Sequence, residues 1–488
     1  MTYKDVYAEW KSNPEAFWMK AAEAIDWTKA PSKALSELGN DMFEWFADGE
    51  TNTCYNCVDR HVEAGRGDQA AIIYDSPVTD TKQTITFAEL QRDVAAFAGA
   101  LKAKGIEKGD RVIIYMPMIP QTAVAMLACA RLGAIHSVVF GGFAAHELAV
   151  RIDDAKPKAI IAASCGIEPG RVVEYKPLLD GAIDLAEHKP AFTVTYQRPQ
   201  AQATLVEGRD YDWDSVQDGT EPTGCAPVEG NHPAYILYTS GTTGAPKGVV
   251  RHTGGHLVAL NWTMKNIYNV NPGEVFWAAS DVGWVVGHSY IVYGPLCQGA
   301  TTLMFEGVPT WPDAGRCWDI IDRHQVSTFY TAPTAIRALM AQGDDYVTRY
   351  SRKSLKLLGT VGEPINPEAW EWYYRVVGEE RCPIIDTWWQ TETGAHMMTP
   401  LPGATEAKPG SACQPFFGVQ PALFDADGNE IEGPGSGNLV IKHSWPAQIR
   451  SVYGDHQRML DTYFSTYPGV YFTGDGARRD EDGYYWIT

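Results

Sequence analysis

Residues 235–250 read YILYTSGTTGAPKGVV. An apolar run gives way to Thr, Ser and Gly, then to Ala-Pro-Lys-Gly, then to paired valines. The flanking runs are strand-like, so the turn between them is held at both ends. Thr239, Ser240, Thr242 and Thr243 supply hydroxyls, while Gly241, Gly244 and Gly248 let a ligand approach the backbone closely. Successive N–H groups with hydroxyls form an anion nest and Lys247 adds a point charge, a combination suited to a polyphosphate. The Walker pattern is different, because it needs Gly-Lys-Ser/Thr opening a helix. Here Pro246 precedes Lys247 and the β-branched Val249 and Val250 follow, so the chain returns into a strand. A generic Gly/Ser/Thr stretch is usually a solvated turn; the full pattern of residues 239–248 argues for a ligand.

Outward from this stretch, strand and helix alternate. AAIIYD (70–75), RVIIYMP (111–117), IHSVVFGG (135–142) and KAIIAAS (158–164) are short apolar runs. Between them lie the helical patterns of 87–105, 120–134 and 144–157, the first ending at Gly105. This spacing predicts an α/β fold with mostly parallel sheets covered by helices. A second α/β set follows in VSTFYTAPTAIRALM (326–340), LKLLGTVGEP (355–364) and PIIDTWWQTETG (383–394), and the tail from 401 reads as a smaller β-rich subdomain. The expected units are a helical wrap over 1–60, a first α/β subdomain over 61–206, an exposed acidic connection over 207–233, a second α/β subdomain over 234–400 and the β-rich subdomain over 401–488.

Composition narrows the function. The chain has 488 residues, 45% hydrophobic and 20% charged, and a formal charge of −20. A broad basic face for nucleic acid is therefore not expected, although small anions need only local donors. The apolar stretch 122–145 carries Arg131 and His136, so it reads as buried helix and strand and not as a membrane span. The start, MTYKDVYAEW, has no apolar leader pattern, and the nine cysteines are scattered. The expected compartment is the cytoplasm.

YTSGTTGAPKGVV resembles the phosphate loop of adenylate-forming enzymes, a superfamily of acyl-CoA synthetases, luciferases and peptide-synthetase adenylation domains. WAASDVGWVVGHSYIVYGPL (277–296), GATTLMFEGVP (299–309), VGEPINPEAWEWYY (361–374), DTWWQTETG (386–394) and YFTGDGARRDEDGYYWIT (471–488) resemble the AMP-forming acetyl-CoA synthetases within it. Residues 141–179 and RHTGGH (251–256) look more like the propionyl-CoA synthetase branch.

The resemblance implies the following site residues. Thr239 to Gly244 and Lys247 hold phosphates; Gly362, Glu363 and Pro364 line adenine and ribose; Asp386, Thr387, Trp388, Trp389, Gln390 and Thr391 follow the nucleotide, with Thr391 on the α-phosphate. Glu392 is the carboxylate partner of Mg²⁺, a hard ion that takes oxygen ligands shared with phosphate. Asp475 accepts both ribose hydroxyls. Trp389 closes an acyl pocket walled by Val285, Val286 and Val361, leaving room only for a short acid. Gly170 and Arg171 stand at coenzyme A, as do Val286 and Thr310; Glu168, Val286 and Thr310 depart from the acetyl pattern and lean toward the propionyl branch. Adjacent tryptophans in a plain strand would place one ring in solvent, which sets 388–389 apart from ordinary sheet.

Three other signals carry less. Cys54 and Cys57 form a lone CxxC without a second pair. His252 and His256 have zincin spacing, but Gly254 and Gly255 oppose a helix and no Glu follows His252. DADGNE (425–430) reads as a hairpin turn, since its glycine stands too early for a calcium loop.

The implied chemistry is attack of a carboxylate on the α-phosphorus of ATP, then of the coenzyme A thiol on the resulting acyl-adenylate. Catalytic roles fall to Thr391, Glu392 and Lys247. Family members carry a separate adenylation lysine on a mobile C-terminal lid beginning just past YYWIT, so the lid is expected to be absent from these 488 residues and the isolated chain to turn over poorly. Acetate, propionate, delivery of the adenylate to another acceptor and a non-catalytic nucleotide module all stay open here, as does the oligomeric state.

Overall fold

The computed structural model describes residues 1–239 and 245–488. Its frame is two large sheets. The first has eight strands, in the spatial order Asp210–Asp212, Phe192–Tyr196, Ala159–Ala163, Arg111–Met116, Ile135–Phe140, Pro233–Thr239, Lys247–His252 and Ser451–Val452. All pairs are parallel up to Pro233–Thr239, and the last two are antiparallel. The second has seven strands: Ile384–Asp386, Leu357–Thr360, Val326–Thr331, Val275–Ala278, Thr301–Phe305, Ala70–Ser76 and Thr81–Thr86, parallel except for the final pair. A four-stranded antiparallel sheet of Pro421–Phe424, Gly435–Ile441, Tyr471–Arg479 and Tyr485–Ile487 forms the β-rich tail.

Helices follow the strands where the apolar period predicts them. Phe87–Ala103 starts with a capping box, Thr86 with Glu89, and its chain turns at Gly105 in the left-handed region. Pro120–Leu132 opens on proline and ends at Gly133 with φ +74. No helix among the described residues is long and apolar enough to cross a membrane.

Four expectations change. The N-terminal wrap is helical over Tyr3–Ser12, Pro14–Ala21, a short turn and again from residue 53, but short strands from Trp27 interrupt it, and Trp10 and Trp18 are buried against the body. Sheet membership also crosses the expected boundaries. Ala70–Ser76 and Thr81–Thr86 join the second sheet, while Pro233–Thr239 and Lys247–His252 join the first. Residues 207–233 are more than an exposed connection: Asp210–Asp212 is the edge strand of the first sheet, and Trp213 is buried, stacked on Phe97 at 3.8 Å. Finally, Thr253–Thr263 is a helix despite Gly254 and Gly255. A Cβ on Gly255 would stand 2.0 Å from the Pro446 carbonyl and one on Gly254 3.0 Å from Gly230. Close packing demands glycine there and outweighs its poor helix propensity.

The carboxyl ends of the parallel strands turn toward common ground. Pro117, Gly141, Ala279, Glu306 and Thr331, each at or just past the end of a different strand, line one cavity. In open α/β sheets this edge is where ligands bind.

Candidate active site

The hairpin of Pro233–Thr239 and Lys247–His252 pairs Thr239 with Lys247, so both emerge side by side at its tip. Ser240, Gly241, Thr242, Thr243 and Gly244 lie outside the described residues. Thr239 and Lys247 line a cavity of about 370 Å³ together with Val285, Thr391 and Glu392. The Thr239 hydroxyl is buried there without a hydrogen-bond partner among the described residues. A buried hydroxyl facing a polar cavity calls for a ligand oxygen or a water.

Residues 386–390 line a neighbouring cavity of about 360 Å³, which also holds Gly362, Glu363, Pro364 and Asp475. Asp386 ends a strand, and the backbone beyond it is no longer sheet, so alternation does not apply to the two tryptophans. Both indoles are buried, as a backbone outside a plain strand allows. The Trp388 Nε1–H donates to Asp475 Oδ2 (3.1 Å), as does Gln390 Nε2 (3.1 Å). Asp475 Oδ1 has no hydrogen bond among the described residues and remains available to a hydroxyl-bearing ligand. Burial raises the Asp475 pKa, partly offset by these two donors.

Trp389 meets different neighbours. Its Nε1–H donates to Tyr330 Oη (3.1 Å), Tyr330 is hydrogen-bonded to Thr387 Oγ1 (2.5 Å), and Thr387 donates to the Thr360 carbonyl (2.8 Å). Tyr290 and His396 stand edge-on to the indole, each at 5.2 Å. An indole fixed by its N–H and two perpendicular rings is a rigid wall.

Residues 58–449 match the AMP-binding enzyme family, and residues 3–57 match the acetyl-coenzyme A synthetase N-terminus. The chain belongs to the AMP-binding enzyme family. Its relatives include the acetyl-coenzyme A synthetase of Xanthobacter autotrophicus, 55% identical over 490 residues that span 100% of this chain and 75% of that protein. The corresponding protein of Alkalilimnicola ehrlichii is 54% identical over 492 residues, 100% of this chain and 76% of its own length. Acetyl-coenzyme A synthetase 2 of Pseudomonas aeruginosa is 55% identical over 490 residues, again 100% and 76%.

In this AMP-binding enzyme Lys247 and Glu392 are joined by a group that the sequence does not announce. Lys247 Nζ donates to Tyr463 Oη (2.9 Å), and Tyr463 donates to Glu392 Oε2 (2.8 Å). Burial, with the Glu392 charge, raises the Tyr463 pKa, so it stays a neutral relay. Glu392 Oε1 has no hydrogen bond among the described residues. One free carboxylate oxygen beside hydroxyls and a lysine fits an oxygen-preferring cation carried on phosphate. Replacing Tyr463 with phenylalanine is expected to slow the enzyme about tenfold and raise its need for Mg²⁺, because Lys247 and Glu392 lose their common anchor. A magnesium titration of the initial rate checks this.

Arg251 is a second residue without a local signal. It is fully buried, and its guanidinium donates to the backbone carbonyls of Thr391, Glu392 (3.2 Å) and Ala447 (2.5 Å) and to Tyr235 Oη (3.2 Å). The loop carrying Thr391 and Glu392 is thus pinned from behind.

Asp386 is buried and accepts the Thr360 hydroxyl (2.8 Å), yet burial pushes its pKa up to about 7. Between the ordinary carboxylate range near pH 4 and pH 7 the native state holds more protons than the unfolded chain, so this group's contribution to stability falls as pH rises. Asp386→Asn keeps an acceptor for Thr360 and removes the titration. Its stability relative to the parent is expected to climb by roughly 1–4 kcal/mol between pH 4.5 and 7.5. Thermal midpoints across that range decide it; a constant difference would refute the assignment.

The remaining site residues divide. Arg171 lines the cavity of about 380 Å³ at the ends of the strands, with Glu168 beside it; the two form an exposed ion pair at 3.8 Å. Gly170 is the left-handed turn between the antiparallel strands Cys165–Glu168 and Arg171–Glu174, and Thr310 is exposed; neither lines the cavity. Val361 is buried and Val286 half-buried, and neither lines the three cavities that hold their predicted partners. Among the described residues, Cys54, Asp59 and Cys225 form the one group of three potential metal ligands within reach of one another, and His252 and His256 are not part of it.

Proposed function

We propose that the chain carries out the AMP-forming activation of acetate: acetate and ATP give acetyl-adenylate and diphosphate, and the thiol of coenzyme A then releases AMP. The single observation that supports this most is the placement of Trp389, locked between Tyr330, Tyr290 and His396 beside the nucleotide-side residues. The relatives named above carry the same activity in their names.

In this reading Lys247, Thr239 and Thr391 orient the triphosphate, and Asp475 Oδ1 with Gly362–Pro364 holds ribose and adenine. Glu392 would hold Mg²⁺, which, when bound, supplies positive charge to the phosphate oxygens. The protein's own part is positioning: two anions that repel each other are brought in line, and fixed donors face the charge that develops at phosphorus. Arg171 and the strand-end cavity receive coenzyme A.

Propionate is the second reading, favoured by the half-buried valine at 286 and by the departures at Glu168 and Thr310. One methylene separates such substrates by only ~1–3 kcal/mol. A panel of two- to four-carbon acids in pyrophosphate exchange and in coenzyme A-dependent AMP release, run on the full-length protein, tests the assignment. Acetate giving the highest kcat/KM is the expected result. Exchange without coenzyme A-dependent release would instead indicate another acceptor.

A further inference from the structure

The Sγ atoms of Cys54 and Cys225 and a carboxylate oxygen of Asp59 lie within 4.8 Å of one another. None of these residues lines the three cavities of the active site. Two soft ligands and a carboxylate could suit a metal, but the cation position is already filled. Arg131 Nη1 and Nη2 donate to Asp59 Oδ1 (2.8 Å) and Oδ2 (3.1 Å), and Nη1 also reaches Cys54 Sγ (3.5 Å). A divalent ion would have to expel a buried guanidinium.

What the cluster does offer is thiol chemistry. Arg131 sets a cationic donor directly against the Cys54 sulfur. The Cys225 thiol points its hydrogen at Asp59 Oδ1 (3.6 Å), which can take the proton. Cys54 is fully buried, whereas Cys225 is only half-buried. The segment bearing Cys225 is fastened on both sides. Arg131 Nε donates to the Thr223 carbonyl (2.6 Å), the Ala226 N–H donates to the Arg131 carbonyl (2.8 Å), and Asn52 Nδ2 donates to the Ala226 carbonyl (2.8 Å). The two sulfurs are therefore held within 4.8 Å of each other.

We propose that Cys54 and Cys225 are a reversible oxidation site that a hydroperoxide converts to a disulfide. Cys225 sulfur attacks the peroxide as its proton passes to Asp59; the O–O bond breaks, one oxygen stays as Cys225 sulfenic acid, and the other leaves as hydroxide that takes the proton from Asp59 and becomes water. Cys54 sulfur then attacks the Cys225 sulfur, the S–O bond breaks, and the departing hydroxide takes up the proton released by the Cys54 thiol and leaves as water. Two thiols lose two electrons, hydrogen peroxide gains them, and two waters form. The product joins the segment before the phosphate-loop hairpin to the helical turn at Cys54.

The competing pair is Cys57 and Cys297, both fully buried, with Arg60 Nη2 at 3.5 Å from Cys297 Sγ. Its enclosure predicts that it stays reduced. The test treats the full-length folded protein with hydrogen peroxide, blocks free thiols in denaturant and maps peptides without reduction. The expected result is a cross-link between the peptides of Cys54 and Cys225, the other seven of the nine cysteines of residues 1–488 remaining alkylatable. Dithiothreitol restores all nine, and Cys225→Ser gives no cross-link. No cross-link in the parent, a Cys57–Cys297 link in its place, or only irreversible oxidation of Cys225 would overturn the proposal.

Discussion

Trp389→Gly turns this short-acid enzyme into one that prefers acids several carbons longer. The indole is 8% exposed, held by its N–H to Tyr330 and by the edges of Tyr290 and His396. Those neighbours are themselves buried and packed, so they will not collapse fully into the vacated space. An acyl tail can fill it, and each methylene it buries is worth ~0.8 kcal/mol. Acetate, too small to touch the new walls, should lose about 10- to 100-fold in kcat/KM. Five- and six-carbon acids should rise by a comparable factor, and KM for ATP should hardly move, because Trp388 and Gln390 keep Asp475 in place. The cavity will also lower stability by about 3–5 kcal/mol, so the comparison belongs at a temperature where the variant stays folded. An unchanged chain-length order in a folded variant would remove Trp389 from the acyl pocket and with it the main support for the acetate assignment.

Much of this frame is legible in residue order, for a physical reason. Parallel strands buried on both faces must be short apolar runs, and the helices between them must carry a 3.6-residue period. Arg111–Met116, Ile135–Phe140 and Ala159–Ala163 stand where those patterns place them, and Lys247–His252 returns as a strand because proline and paired valines resist a helix. What escapes the sequence is whatever depends on remote packing. The helix at Thr253 begins on two glycines because the Pro446 and Gly230 backbones lie against them. Trp213 looks like part of a solvated acidic stretch until Phe97 supplies its stacking partner. Trp388 and Trp389 are both buried because the sheet ends at Asp386 and each ring finds its own wall. In the active site, motif residues identify themselves by type and spacing, whereas Tyr463, 71 positions from Glu392, has no neighbour in sequence that marks it.

Arg251 shows the same limit and carries the second large effect. Lying in a strand of the first sheet, it resembles a misplaced surface residue; in the fold it is fully buried, and no carboxylate among the described residues pairs with it. Its donors are spent on the carbonyls of Thr391, Glu392 and Ala447 and on Tyr235. The guanidinium therefore acts as a fixed fork that sets the backbone from which the Thr391 and Glu392 side chains face Lys247 across the cavity. Gly394 completes the arrangement, since at φ +74 a Cβ there would lie 2.6 Å from the Arg251 Cζ. Arg251→Met removes charge and fork together and leaves buried carbonyls unmet, a cost of about 1–3 kcal/mol each. Its kcat is expected to fall about 10²- to 10³-fold, the size of effect seen when a fixed donor to a developing charge is lost. Arg251→Lys keeps the charge but not the planar fork and should lie between the two. A purely structural role would lower the melting temperature and leave the kinetic constants of the folded fraction alone. A positioning role predicts more: the Mg²⁺ concentration for half-maximal rate rises in both variants, while KM for acetate stays within about twofold because Trp389 and its ring neighbours are untouched. If both variants fold and keep the parental Mg²⁺ dependence, Arg251 does not position Glu392. If the parent itself shows no acetate-dependent pyrophosphate exchange, it is the functional assignment that fails, and the two outcomes are separable in one series of assays.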